Sequence, residues 1–183
     1  MMLLHLSSSA QLQKTEEVCY NPNAKGDTTK RSIKSSVKGG IEQANVVINY
    51  HSPGVRRRNI WGGLVPYGEV WVTGAHSATT LEVDQDFMVN NTSIKKGKYA
   101  LFTIPGKKEW IVIINKNWHQ HLTDDYQQSE DVVRIKIKPI QQKSVTERLQ
   151  YYVESKNNNK GKIAIVWEKL KVEFDIVINK PKA

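Results

Sequence analysis

From Val133 to Lys138 the chain alternates residue by residue between apolar and basic side chains: Val133, Ile135 and Ile137 against Arg134, Lys136 and Lys138. A period of two sends successive side chains to opposite faces of an extended strand, leaving one face oily and the other wetted. The same pattern returns near the end, where Val172, Phe174, Ile176 and Ile178 oppose Glu173 and Asp175. A strand with one polar face belongs in an antiparallel sheet that hides a single side. Two such sheets, face to face, are the simplest way to bury these residues.

Short runs rich in β-branched and aromatic residues recur through the rest of the chain. Ala44–Tyr50, Glu69–Thr73, Thr79–Asp84, Arg148–Glu154 and Ile163–Trp167 read as strands. Asn90-Asn91, between Phe87–Val89 and Thr92–Ile94, predicts a tight hairpin because Asn tolerates the left-handed region. Pro105–Lys108, between Tyr99–Ile104 and Trp110–Asn115, predicts another, and Asn157–Gly161 is a polar turn. Only Ser144–Leu149 and His119–Gln128 leave room for a turn of helix. The expected fold is therefore all-β, an antiparallel β-sandwich of about ten strands with a disordered N-terminal arm.

Residues 11–40 are polar and lack a sustained apolar period, which predicts a flexible arm with at most one short strand near Ile33–Val37. Residues 41–180 form the single domain, and about 145 residues are enough for a real core. Residues 1–10 begin with an apolar run and end in Ser8-Ser9-Ala10, a small-x-small pattern that predicts the remnant of a signal peptide. The expected location is periplasmic or secreted. One cysteine, Cys19, excludes an internal disulfide. No apolar stretch approaches the ~18–20 residues that span a bilayer.

The net charge is +9, yet residues 1–40 contribute six basic and three acidic side chains, and only Arg56-Arg57-Arg58 forms a basic run. No nucleic-acid-binding module accompanies the charge, so nucleic acid is not an expected partner.

Tyr50–Thr80 breaks the strand pattern. It concentrates Gly54, Gly62, Gly63, Gly68 and Gly74 with Trp61, Tyr67 and Trp71. Long irregular segments in compact domains often carry function. The rings of Trp61, Tyr67 and Trp71 supply apolar walls, while Arg58, Thr73 and His76 supply polar or anion-binding contacts. These six are the candidate ligand-binding residues. The same rings also suit a plug over the open end of a sandwich.

Several blocks resemble one family. Ser52-Pro53-x-Val55, Arg58, Gly63–Trp71, Thr73-Gly74-Ala75 and Ala78-Thr79-Thr80 form the first. Gly97–Gly106 with Trp110, then Glu130–Arg134, then Trp167-Glu168-Lys169 form the others. Together, over Val37 to Ile178, they are similar to the family called domain of unknown function 2911. The resemblance implies an exported or envelope-associated protein typical of Bacteroidetes, with no established activity and no catalytic residue to carry over. Val72 stands where many members have Arg, and His76 where they have Asn or Asp, so a charged site built on that pair is not expected here.

His119-x-His121 places two imidazoles on one side of an extended segment, as a metal site with His51 or His76 as third ligand would need. Two exposed loop histidines are the plainer reading. Trp61 and Trp118, in loop-like segments, are the candidates for stacking on a sugar. No Gly-x-Ser-x-Gly elbow, phosphate loop or dinucleotide fingerprint occurs, and no cofactor is indicated. The leading expectation is a non-catalytic exported protein that binds a small molecule, glycan or envelope partner through the 50–80 segment. The rival is a metal-assisted or hydrolase-type enzyme built on its histidines.

Overall fold

A computed structural model describes residues 31–179 of the 183-residue chain. The expected signal remnant, Cys19 and residues 11–30 of the expected arm lie outside the described residues.

Ten strands follow in order: β1 Ser32–Ile41, β2 Ala44–Pro53, β3 Thr80–Val83, β4 Phe87–Val89, β5 Thr92–Ile94, β6 Gly97–Ile104, β7 Trp110–Asn115, β8 Asp131–Ile137, β9 Ile140–Ser155 and β10 Lys160–Ile178. They form a six-stranded sheet, β1-β2-β3-β6-β7-β8, and a four-stranded sheet, β5-β4-β10-β9. All strand pairings are antiparallel. The fold is the expected β-sandwich. Among the described residues no helix is long and apolar enough to cross a membrane.

The turns follow their residues. Asn90 and Asn91 both hold positive φ, 46° and 63°, as a two-residue hairpin with the right twist requires. Asn158 does the same at 56° between β9 and β10.

Four segments differ from the sequence reading. β1 begins at Ser32, within the segment read as arm, because a ten-residue register with β2 supplies partners that its Ser-rich pattern does not advertise. Ser144–Leu149 lies inside β9, where pairing to β10 overrides its local helical tendency. Glu69–Thr73 is not a strand: Trp71 makes a single bridge to Thr103, and the left-handed Thr73 ends any extension. His119–Gln127 is not helical, and the one helical turn of this region is a 3-10 turn at Gln128–Glu130.

Between the sheets lies the main core, including Ile48, Leu81, Phe87, Leu101, Trp110, Trp167 and Phe174. Ile163, Ile165 and Trp167 face it from odd positions of β10, but Val172, Phe174, Ile176 and Ile178 face it from even ones. The register shifts around Glu168, whose φ is 54°, explain the change: a bulge moves every later side chain to the other face.

The outer face of the six-stranded sheet is covered too. Ala100, Phe102 and Ile113 point outward into a second cluster with Val72 and Ala78. This is why Trp110–Ile114 is an unbroken apolar run: the strand is buried on both sides. The cover is made of the 70–79 segment and the 116–127 loop. Asp131 ties down the base of the loop. Its carboxylate accepts hydrogen bonds from Asn115 Nδ2 at 2.7 Å, Tyr126 Oη at 2.8 Å and Arg134 Nη1 at 2.7 Å. Burial, with Asp131 beside it, pushes the Tyr126 phenol up to about 12.

Candidate functional site

The two covering segments meet in a ridge on the outer face. The Ala78 N–H donates to Gln120 O at 3.0 Å, the Leu122 N–H donates to His76 O at 2.6 Å, and Ser77 bridges to His121. Three ridge residues hold the left-handed region: Thr73 at 53°, His76 at 63° and Leu122 at 46°. A β-branched or bulky residue there is strained and persists only when its surroundings over-determine it.

Thr73 shows how. It is fully buried, with its hydroxyl 3.0 Å from Thr103 Oγ1. Its carbonyl accepts from Tyr151 Oη at 2.7 Å and Thr79 Oγ1 at 3.1 Å. Complete burial drives the Tyr151 phenol well above its ordinary value, so it stays a donor. Next along the chain, Gly74 has no room for a side chain: a Cβ would sit 2.9 Å from Thr79 Oγ1 and 3.2 Å from His51 O.

A cleft opens on each side of the ridge. The smaller, of ≈ 380 Å³, is lined by Arg58, Trp71 and His76, with Leu64, Leu122 and Trp167. Its walls are mainly apolar, and among the described residues no carboxylate lines it. Arg58 is fixed by donating from Nε to Val55 O at 3.2 Å and from Nη2 to Gly54 O at 2.5 Å. Trp71 stacks on Trp167, with centroids 5.6 Å apart and planes at 21°. Its indole N–H donates to Gly74 O at 3.1 Å, which joins the aromatic wall to the ridge. Trp167 Nε1 is buried without a hydrogen-bond partner among the described residues.

The other three candidates are placed differently. Thr73 is buried behind the wall. Trp61 is half-buried and packs edge-on against Trp71, Trp110 and Trp167 at 5.9, 4.8 and 5.7 Å, as a plug over the core. Tyr67 is exposed and closes over Gly62, where a Cβ would lie 2.7 Å from its ring; it lines neither cleft.

The larger cleft, of ≈ 800 Å³, lies on the outer face of β1, β2, β3 and β6 and is walled by the 116–127 loop. His51, His119 and His121 line it. His121 Nδ1 is 2.9 Å from Asp124 Oδ2, and the His119 ring packs edge-on against Trp118. His51 and His76 meet through the partition, with ring centroids 5.1 Å apart. Burial, then the His76 ring and Lys34, hold the His51 imidazole below its ordinary value. Among the described residues no group of three or more His, Cys, Asp or Glu is placed to hold a metal ion.

Sequence reasoning passed over Ser32, whose Oγ is 2.8 Å from His76 Nε2, and the larger cleft's Lys34, Lys98 and Gln120. They come from three separate segments, β1, β6 and the 116–127 loop. Their only shared sign is an outward position, which means little until the cover is known.

No curated protein and no solved structure shows significant similarity to this chain. A family profile does match, over residues 32–176, which takes in both sheets, the ridge and the lining of the smaller cleft apart from Arg31. The chain thus belongs to the family described as "Protein of unknown function (DUF2911)".

Proposed function

We propose that the domain is a non-catalytic binding module whose smaller cleft takes a small molecule with an apolar body and an anionic head. One observation carries this reading: Arg58, Trp71 and His76, drawn from separate parts of the 50–80 segment, surround one concavity that no carboxylate of the described residues lines. Pockets of this size with apolar walls and a few convergent polar groups are characteristic small-molecule sites. The buried Trp167 indole N–H has no acceptor among the described residues, and an oxygen of the head group would supply one. A glycan fits this cleft less well, because the stacked Trp71 and Trp167 rings cover each other's faces.

Calorimetric titration with decanoate, decanol and inorganic phosphate tests the proposal. Decanoate is expected to saturate, with both controls much weaker. Leu64→Glu, at an exposed position on the rim, is expected to weaken decanoate at least tenfold by placing a like charge beside the head group. Equal binding of decanol, or an unchanged affinity in that variant, would remove the reading.

A hydrolase-type reading has one observation in its favour, the 2.8 Å contact between Ser32 Oγ and His76 Nε2. A nucleophile–base pair of this kind gains from a third group that orients the base, and no carboxylate hydrogen-bonds to His76 among the described residues. Ester turnover by the protein, lost in Ser32→Ala, would favour this rival. Export to the bacterial envelope, implied by the family resemblance, belongs to the same proposal and is tested by cell fractionation.

A further inference from the structure

We propose that the larger cleft binds a neutral sugar, at a site separate from the apolar cleft across the ridge.

The floor of the cleft is a row of polar groups set by the sheet register. Asn49 on β2 lies opposite Thr80 on β3, and both line the cleft. Leu81 and Val83 belong to the core between the sheets, so Thr80 faces outward by alternation around Leu81. Neighbouring strands lie about 4.8 Å apart, so the Asn49 amide and the Thr80 hydroxyl stand side by side on the outer face. Gln120 reaches the same cleft from the 116–127 loop.

Two of these groups lack partners. Thr80 and Gln120 are 8% and 7% exposed. Thr80 Oγ1 and Gln120 Oε1 are both buried with no hydrogen-bond partner among the described residues. Buried polar atoms are seldom left unpaired, because each costs the desolvation it suffered. The orientation of the Gln120 amide is set: Nε2 donates to Asn117 O at 2.7 Å, and a flipped amide would press two acceptors together. Its carbonyl oxygen therefore needs a donor, while the Thr80 hydroxyl can give a hydrogen bond or take one.

The need for a donor narrows the ligand. A phosphate or a simple carboxylate brings mainly acceptors to the Gln120 carbonyl. An ammonium group would donate to it, but would come in beside the cationic Lys98 that lines the same cleft. Hydroxyl groups both donate and accept, and they carry no charge. The wall favours a ring that bears several of them. Trp118 lines the cleft and is 38% exposed, with the Lys98 ammonium holding its ring at 4.2 Å from the centroid. The indole offers the C–H surface of a sugar an apolar contact. His51, kept below its ordinary value first of all by burial, adds an uncharged donor–acceptor to the wall at neutral pH.

Proton–nitrogen NMR of the full chain, titrated with glucose, galactose, mannose and N-acetylglucosamine, tests this; inorganic phosphate and decanoate serve as controls. At least one of the sugars is expected to give saturable shifts of the Gln120 side-chain amide and the Trp118 indole. Thr80→Val keeps the shape of the side chain and removes its hydroxyl. It is expected to weaken that sugar about fivefold or more, the worth of one hydrogen bond. Its melting temperature is expected to hold or rise, because the variant loses a buried hydroxyl that has no partner in the free protein. Saturation by none of the sugars, equal shifts with phosphate or decanoate, an unaltered affinity in Thr80→Val, or a clear fall in its melting temperature would overturn the proposal. The probes and reporting side chains differ from those of the apolar cleft, so either site can fail without the other.

Discussion

The two faces of the six-stranded sheet are closed by different means. The inner face meets a second sheet, and its core is built from alternating side chains in unstrained strands. The outer face is closed by two irregular segments, locked together by a few hydrogen bonds and by residues held in the left-handed region. Among the described residues, ten that are not glycine have positive φ. Glu42, Asn90, Asn91 and Asn158 make hairpin turns and Glu168 a bulge, while Arg56, Arg57, Thr73, His76 and Leu122 all lie in the segments that form the cover and the clefts. The inner face is built for stability. The outer one holds Thr73, His76 and Leu122 in conformations that cost stability and persist only because their surroundings over-determine them.

This contrast can be broken or sharpened by substitution. The largest effect is expected inside the sandwich: Trp110→Ala, at a residue 1% exposed, should cost about 4 kcal/mol in urea unfolding. A loss below about 1 kcal/mol would mean that the shared interior is not the main source of stability. Next, Asp131→Ala should cost about 3 kcal/mol, since it strands Arg134 and frees the base of the 116–127 loop. Hydrogen exchange should then rise first in that loop and only later in β3 and β6. A uniform rise would erase the distinction between core and cover.

Tyr151→Phe removes a single buried hydrogen bond to the strained Thr73 and should cost about 1–2 kcal/mol. Its signature is local: ridge amides around 73–78 lose protection more than strand amides do. The smallest effect is a pH dependence. His51 is held below 6.5, so the folded state favours its neutral form. The stability this contributes is complete above that value and is lost as the pH falls through the lowered folded one. His51→Gln should therefore flatten the acid-side decline in melting temperature; an unchanged slope would place the titrating group elsewhere.

The parts legible in the sequence were those governed by local pattern. Alternation in 133–138 and 172–178 identified inward residues, and paired asparagines identified a hairpin, because pleat and turn are properties of neighbouring residues. The bulge at Glu168 was not legible, since it exists only against the register of β9. Nor was the double burial of Trp110–Ile114, because an apolar run does not say what lies above it. In the candidate site, the concentration of glycine and aromatic residues singled out Arg58, Trp71 and His76, which the structure places along one cleft. Thr73 looked like a ligand contact because a hydroxyl in a loop has no visible partner; its hydroxyl meets Thr103 Oγ1 and its carbonyl meets Tyr151 Oη, 30 and 78 residues away. Lys34, Lys98 and Gln120 carry no local sign at all, since their meeting is a product of the cover.

The most direct test of the account is one set of indole nitrogen spectra of the five tryptophans, recorded with and without decanoate. A site confined to the smaller cleft requires decanoate to move Trp71 and Trp167 while leaving Trp118, across the ridge, still. If decanoate moves Trp118 as much, or moves neither Trp71 nor Trp167, the smaller cleft is not the binding site.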